Sequence, residues 1–236
     1  MKKPKKITIK FFLNENLKEV ETSDKTVGYP LYNQVTYDRK NTQIKCRYGK
    51  GYYPNMLEVQ QNYGKLLLFE ESILKRMVEF EIKRLGVDFH LKGLGKVYDN
   101  YSLSIFKLFN SYLKVRLKTI LQKAMPDEFL EILQMNENTD FDVLFRASEK
   151  LFDNFKELLM VDFLEEMKLF EIYKEICHKI LDENEYKFPV IMDWLDGSHP
   201  AFLDKKLKEK YPQNRDYQKK MKDLIEKIIT TKLELK

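Results

Sequence analysis

The chain has 236 residues, of which 43% are hydrophobic and 13% aromatic, and that apolar content is enough to offset the entropy of ordering, which argues against an extended disordered chain. Its two cysteines, Cys46 and Cys177, stand far apart with no CxxC spacing, so neither a disulfide framework nor a thiolate metal site is expected, and a reducing, cytoplasmic setting fits best. The formal charge of +5 is uneven: residues 1–60 carry 12 Lys/Arg against 6 Asp/Glu, residues 199–236 carry 11 against 6, and the stretch between carries 19 against 25. Basic ends around an acidic middle suit a polyanion, or a partner protein with the reverse pattern.

The first residues, Met1-Lys2-Lys3-Pro4-Lys5-Lys6, lead straight into alternating residues without the apolar stretch of a signal peptide, and no secretion is expected. Runs such as Leu66-Leu67-Leu68-Phe69 stop well short of the roughly 18 residues that span a bilayer, so no membrane partner is expected. Strict alternation from Ile7 to Leu13 predicts a strand with Ile7, Ile9, Phe11 and Leu13 on one face and Thr8, Lys10 and Phe12 on the other. A second strand opens after Gly28-Tyr29-Pro30, with Leu31, Asn33, Val35 and Tyr37 opposing Tyr32, Gln34 and Thr36. Asp38-Arg39-Lys40-Asn41 supplies a turn, and Thr42 to Tyr48 alternates again. The expected front end is a three-stranded antiparallel sheet within a basic β-rich module over residues 1–55.

From Met56 the apolar period becomes 3.6, predicting an all-helical bundle over 56–236 and a mostly α fold class overall. Helices are expected near 56–85, 97–125, 127–136, 140–159, 161–183, 200–210 and 214–234, the last two forming a basic C-terminal pair over 200–234. A three-stranded layer cannot bury both faces, so the helix from Met56 should cover the face of Leu31, Val35, Ile44, Cys46 and Tyr48. The other face then carries Tyr32, Gln34, Thr36, Gln43, Lys45 and Arg47, with Arg39 and Lys40 at the hairpin tip. Such a surface can hydrogen-bond bases and hold phosphates.

The runs Ile7-Thr8-Ile9-Lys10-Phe11-Phe12-Leu13, Gly28-Tyr29-Pro30-Leu31-Tyr32 and Val35-Thr36-Tyr37-Asp38-Arg39-Lys40-Asn41-Thr42 resemble the arm-type DNA-binding domain of tyrosine recombinases (phage integrases), particularly those of Bacteroidetes mobile elements. The resemblance covers about a fifth of the chain. It implies a small sheet inserted into DNA and followed by an all-helical region. Asn33-Gln34 stands where the family commonly has a basic residue in the middle strand. The recombinase catalytic set would include a His-x-x-Arg segment, and none of His90, His178 and His199 is followed by arginine three positions later. No strand cleavage is expected.

The helical part carries several further candidate motifs. Arg84 and His90 have the Arg-x5-His spacing that resembles the motif of HEPN ribonucleases, although leucine follows the arginine and Gly86 interrupts the helix. Glu175-Ile176-Cys177-His178 offers one Glu-x-x-His where a di-iron bundle needs two. Asp193, Asp196 and His199 cluster in an expected loop, where carboxylates commonly cap helices. Lys107, Lys114 and Lys118 share one helix face with Ser111, as a solvated surface also would. Lys205, Lys206, Lys208, Lys210, Arg215, Lys219, Lys220 and Lys222 interleave with Tyr211 and Tyr217, a pattern suited to single strands. By contrast Glu157, Asp162, Glu165, Glu166, Glu171 and Glu175 would repel a polyanion.

These readings predict a non-enzymatic, nucleic-acid-binding accessory protein of a phage or mobile element, taking DNA or RNA on Lys10, Arg39, Lys40, Lys45, Arg47, Lys205, Lys206, Lys219 and Lys220, without metal or cofactor. The alternative is a protein-binding inhibitor of a host nucleic-acid enzyme, anti-CRISPR-like, acting on a CRISPR effector or other nucleoprotein. A HEPN-like ribonuclease ranks third.

Overall fold

The alternating segments form strands β1 (Thr8–Leu13), β2 (Val20–Glu21), β3 (Val27–Tyr37), β4 (Lys40–Lys45) and β5 (Tyr52–Tyr53), all antiparallel to β3, which is the hub of the sheet. The computed structural model describes residues 6–21, 27–49, 51–124, 139–152, 154–183 and 189–234. The sheet therefore has five strands, not the three expected. The two extra strands are two-residue pairings, Val20-Glu21 on Gly28-Val27 and Tyr52-Tyr53 on Pro30-Tyr29, too short to show a period in sequence. Strand β4 also stops at Lys45 rather than Tyr48, because the backbone N–H groups of Arg47 and Tyr48 leave the ladder for a buried carboxylate.

Between β3 and β4 the chain reverses through Asp38 and Arg39, both left-handed at φ 49° and 65°. Two successive positive-φ residues make the turn that matches the strand twist of a two-residue hairpin. A side chain at Arg39 in that conformation costs about 1 kcal/mol relative to glycine.

Helix α1 (Met56–Leu85) keeps the predicted bounds for legible reasons: the Asn55 side chain accepts from the Glu58 N–H at 2.9 Å, and Gly86 at φ 56° ends it. It covers the inner face of the sheet, where Leu31, Cys46 and Tyr53 pack on Val59 and Leu67. Helix α2 (Leu94–Tyr101) is separate from α3 (Ile105–Ala124), although one helix was expected over 97–125. Ser102 Oγ donates back to the Tyr98 carbonyl at 2.6 Å and Ser104 Oγ receives the Lys107 N–H at 3.4 Å, so two serines close one helix and open the next.

Helix α4 (Phe141–Leu151) ends at an extended Phe152 and is followed by a 3-10 turn over Phe155–Leu158, where a continuous helix to 159 was expected. Helix α5 (Val161–Glu183) follows. The expected loop near 193 instead contains helix α6 (Ile191–Leu195), whose first turn is closed by Asp193 Oδ2 accepting the Val190 N–H at 2.8 Å. Then come α7 (Ser198–Lys210) and α8 (Arg215–Glu234). The helix expected over 127–136 lies outside the described residues. Among the described residues no helix is long and apolar enough to cross a membrane.

The chain divides into two compact units. The first is Met1–Ser102 with Glu185–Asp196, so the sheet, α1, α2 and α6 belong together and the β-to-α switch at 55/56 lies inside it. The second is Leu103–Asn184 with Gly197–Lys236. Its core is aromatic: Phe109 of α3 meets Phe170 of α5 at 5.0 Å, and Phe141, Phe163 and Tyr173 are buried around them.

Candidate nucleic-acid interface

Because side chains alternate across a strand, the register of β1, β3 and β4 fixes what the outer face presents. It reads as three rows: Thr8, Thr36 and Asn41; Lys10, Gln34 and Gln43; Phe12, Tyr32 and Lys45. No acidic residue stands in these rows. Lys10, Asn41, Gln43 and Lys45 are exposed, while Gln34, Tyr32 and Phe12 are half-buried. Lys10 and Lys45 are two strands and one row apart, about 12 Å, and neither makes an ion pair or hydrogen bond with any described residue. The Phe12 and Tyr32 rings lie with centroids 6.2 Å apart at 42°. Arg39 and Lys40 project from the hairpin tip, both exposed.

Arg47 does not join them. Its guanidinium donates to the Asp99 carbonyl at 2.8 Å and lies 3.6 Å from the Asp99 carboxylate, so alternation failed at the point where β4 ends. The cause is Glu70 of α1, which is fully buried yet accepts from five donors. Oε1 takes Asn33 Nδ2 at 2.9 Å, the Arg47 N–H at 2.8 Å and the Tyr98 hydroxyl at 2.6 Å. Oε2 takes Cys46 Sγ at 2.5 Å and the Tyr48 N–H at 3.3 Å. Burial first, and then the Glu70 charge, push the Cys46 thiol and the Tyr98 hydroxyl far above their ordinary values, so both stay protonated as donors. Asn33 is therefore turned inward and cannot read a base from the middle strand.

A second buried carboxylate, Glu81, sits three helical turns further along α1 and accepts from Tyr101 at 2.7 Å and from Arg84 at 2.5 and 3.1 Å. Arg84, the arginine of the HEPN-like spacing, is thus held by Glu81, while His90 is exposed beyond the helix end. Asp193 and Asp196 both pair with Arg76 of α1, at 2.7 and 2.6 Å. None of Glu70, Glu81 or Arg76 was singled out from the sequence. The available signal was that positions 67, 70, 74, 77 and 81 share one stripe with buried apolar residues, which marks the two carboxylates as inward-facing.

Four of the C-terminal lysines meet acids. Lys220 pairs with Glu165 at 2.5 Å and Asp216 at 3.2 Å, Lys206 with Glu209 at 3.3 Å, Lys222 with Asp204 at 2.6 Å, and Lys210 with Glu175. Lys205 and Lys219 are exposed, with no ion pair among the described residues. Tyr211 and Tyr217 pack edge to face at 5.8 Å, and Lys168 lies 5.0 Å over the Tyr217 ring. The acids expected to repel a polyanion thus lie among the lysines expected to attract it. His199 is buried, with Nε2 3.0 Å from the Tyr173 hydroxyl, and burial lowers its imidazole to about 4.

Comparison with family models, with curated proteins and with solved structures gives no match to this chain.

Proposed function

We propose that this is a non-catalytic nucleic-acid-binding accessory protein of a phage or mobile element, whose contact surface is the outer face and tip of the sheet. The observation that carries the reading is the set Lys10, Arg39, Lys40 and Lys45: four exposed cations on one small module, Lys10 and Lys45 in outer-face rows that contain no carboxylate and Arg39 and Lys40 at the hairpin tip. Free cations of this kind release counterions when they meet phosphates. Strain at Arg39 adds support, since a left-handed arginine at a hairpin tip is retained where glycine would be easier. The resemblance of the front segments to an arm-type DNA-binding domain points the same way.

The test is a gel-shift titration with DNA and RNA at two salt concentrations. Binding should weaken steeply with salt and be lost when Lys10, Arg39, Lys40 and Lys45 are all replaced by alanine. Absence of any complex at low salt sinks the proposal. A second reading, a protein-binding inhibitor of a host CRISPR effector or similar nucleoprotein, draws on the alternating charges of Glu165, Lys220, Asp216, Lys222 and Asp204 in the second unit, since mixed-sign surfaces suit protein partners. Co-elution with a purified effector ribonucleoprotein tests it.

A further inference from the structure

Resting on the nucleic-acid reading, we propose that the sheet face is a platform for single-stranded rather than duplex nucleic acid, with Phe12 and Tyr32 stacking against successive bases. In β-sheets an outward aromatic is commonly matched by apolar cross-strand neighbours. Here the row Phe12, Tyr32, Lys45 pairs two rings with a cation, and the adjoining row holds Lys10, Gln34 and Gln43.

Each component fits an unpaired strand. The faces of bases are open only when the strand is single, and rings accept any base face, whereas a duplex offers rings little beyond base edges and phosphates. Gln34 and Gln43 each carry both a donor and an acceptor, which suits exposed base edges. Neither has a partner among the described residues. Lys10 and Lys45 flank the rings diagonally, about 12 Å apart, a span that brackets two nucleotides of backbone. The middle strand carries no cation for duplex phosphates, and its Asn33 is consumed by Glu70 at 2.9 Å.

The experiment uses the full chain with fluorescein-labelled 12-nucleotide probes of mixed sequence: RNA, single-stranded DNA, and the DNA duplex, read by anisotropy at one salt concentration. Single strands should bind at least about tenfold more tightly than the duplex, with the RNA and DNA arms showing which sugar is preferred. Phe12→Leu and Tyr32→Leu, which keep apolar bulk but remove the ring, should each weaken single-strand binding about tenfold. Tyr32→Phe should stay within about twofold of the parent. Duplex binding as tight as single-strand binding, or leucine variants indistinguishable from the parent, overturns the platform while leaving nucleic-acid binding intact. If no probe binds, both proposals fall.

Should the leucine variants misfold, the parent protein still decides the matter through ultraviolet cross-linking to a 5-iodouracil oligonucleotide. Adducts at Phe12 or Tyr32 support stacking, and adducts confined to other peptides overturn it.

Discussion

The two units treat charge in opposite ways. In the first, two carboxylates go inside: Glu70 and Glu81 are both buried on α1, and Glu70 is held entirely by neutral donors, namely an amide, a thiol, a phenol and two backbone N–H groups. Its sheet-face lysines, Lys10 and Lys45, make no ion pair with any described residue. In the second unit the acids stay at the surface and neutralise lysines, as Glu165 does for Lys220 and Asp204 for Lys222. Two segments of similar net charge in sequence therefore differ as surfaces. The contrast lies on the sheet face, where Lys10 and Lys45 stand in rows without a carboxylate, whereas Lys206, Lys220 and Lys222 of the second unit each meet an acid.

The contrast can be broken most severely at Glu70. Glu70→Gln turns an acceptor into a donor facing donors, so urea unfolding should show a loss of at least about 3 kcal/mol. An unfolding midpoint within a few tenths molar of the parent would mean the five contacts are not what closes the first unit.

In the second unit the corresponding buried polar group is His199. Its folded-state value, about 4, lies below the ordinary 6.5, so burial favours the neutral ring. The resulting stability is fully present above pH 6.5 and is lost as pH falls through 4, amounting to roughly 3 kcal/mol. Unfolding measured across that window should show a slope that His199→Gln reduces. An unchanged slope in the variant would assign it to other groups.

Smaller effects sharpen the comparison from the surface side. Replacing Lys10 and Lys45 with alanine should lower the slope of log affinity against log salt by about 1.5 to 2, roughly one for each lost phosphate contact. The matched change at Lys206 and Lys220 should leave affinity within about twofold, and should leave the unfolding midpoint close to that of the parent because those ion pairs are largely solvated. If the second pair proves as damaging to binding as the first, the distinction between free and compensated lysines does not govern recognition.

Local rules went a long way in this chain. The period-two runs located β1, β3 and β4, and the inward set Leu31, Val35, Ile44 and Cys46 followed from alternation. A cap at Asn55 and a glycine at 86 bounded α1, and α5 matched its expected span. Lys10, Arg39, Lys40 and Lys45 were legible as exposed because each lies on a face or tip whose partners are sequence neighbours in the sheet. Phe12 was legible too, being on the same face as Lys10, but a lone aromatic in an alternating run does not announce a platform until Tyr32 is seen beside it.

By itself, the sequence determined the mostly α class of the fold and which residues of its main strands face out, Lys10 and Lys45 among them, because those depend on periodicity and on turns a few residues long. Only the tertiary structure decided that Arg47 faces Asp99, that Asn33 is spent on Glu70, and that Lys220 and Lys222 meet Glu165 and Asp204. The pairs Asn33 to Glu70, Arg47 to Asp99 and Lys220 to Glu165 each join residues 37 or more positions apart on different elements. Coulomb attraction and the cost of leaving a buried polar group unpaired act through space, and no local pattern in the chain encodes which distant residue will meet them.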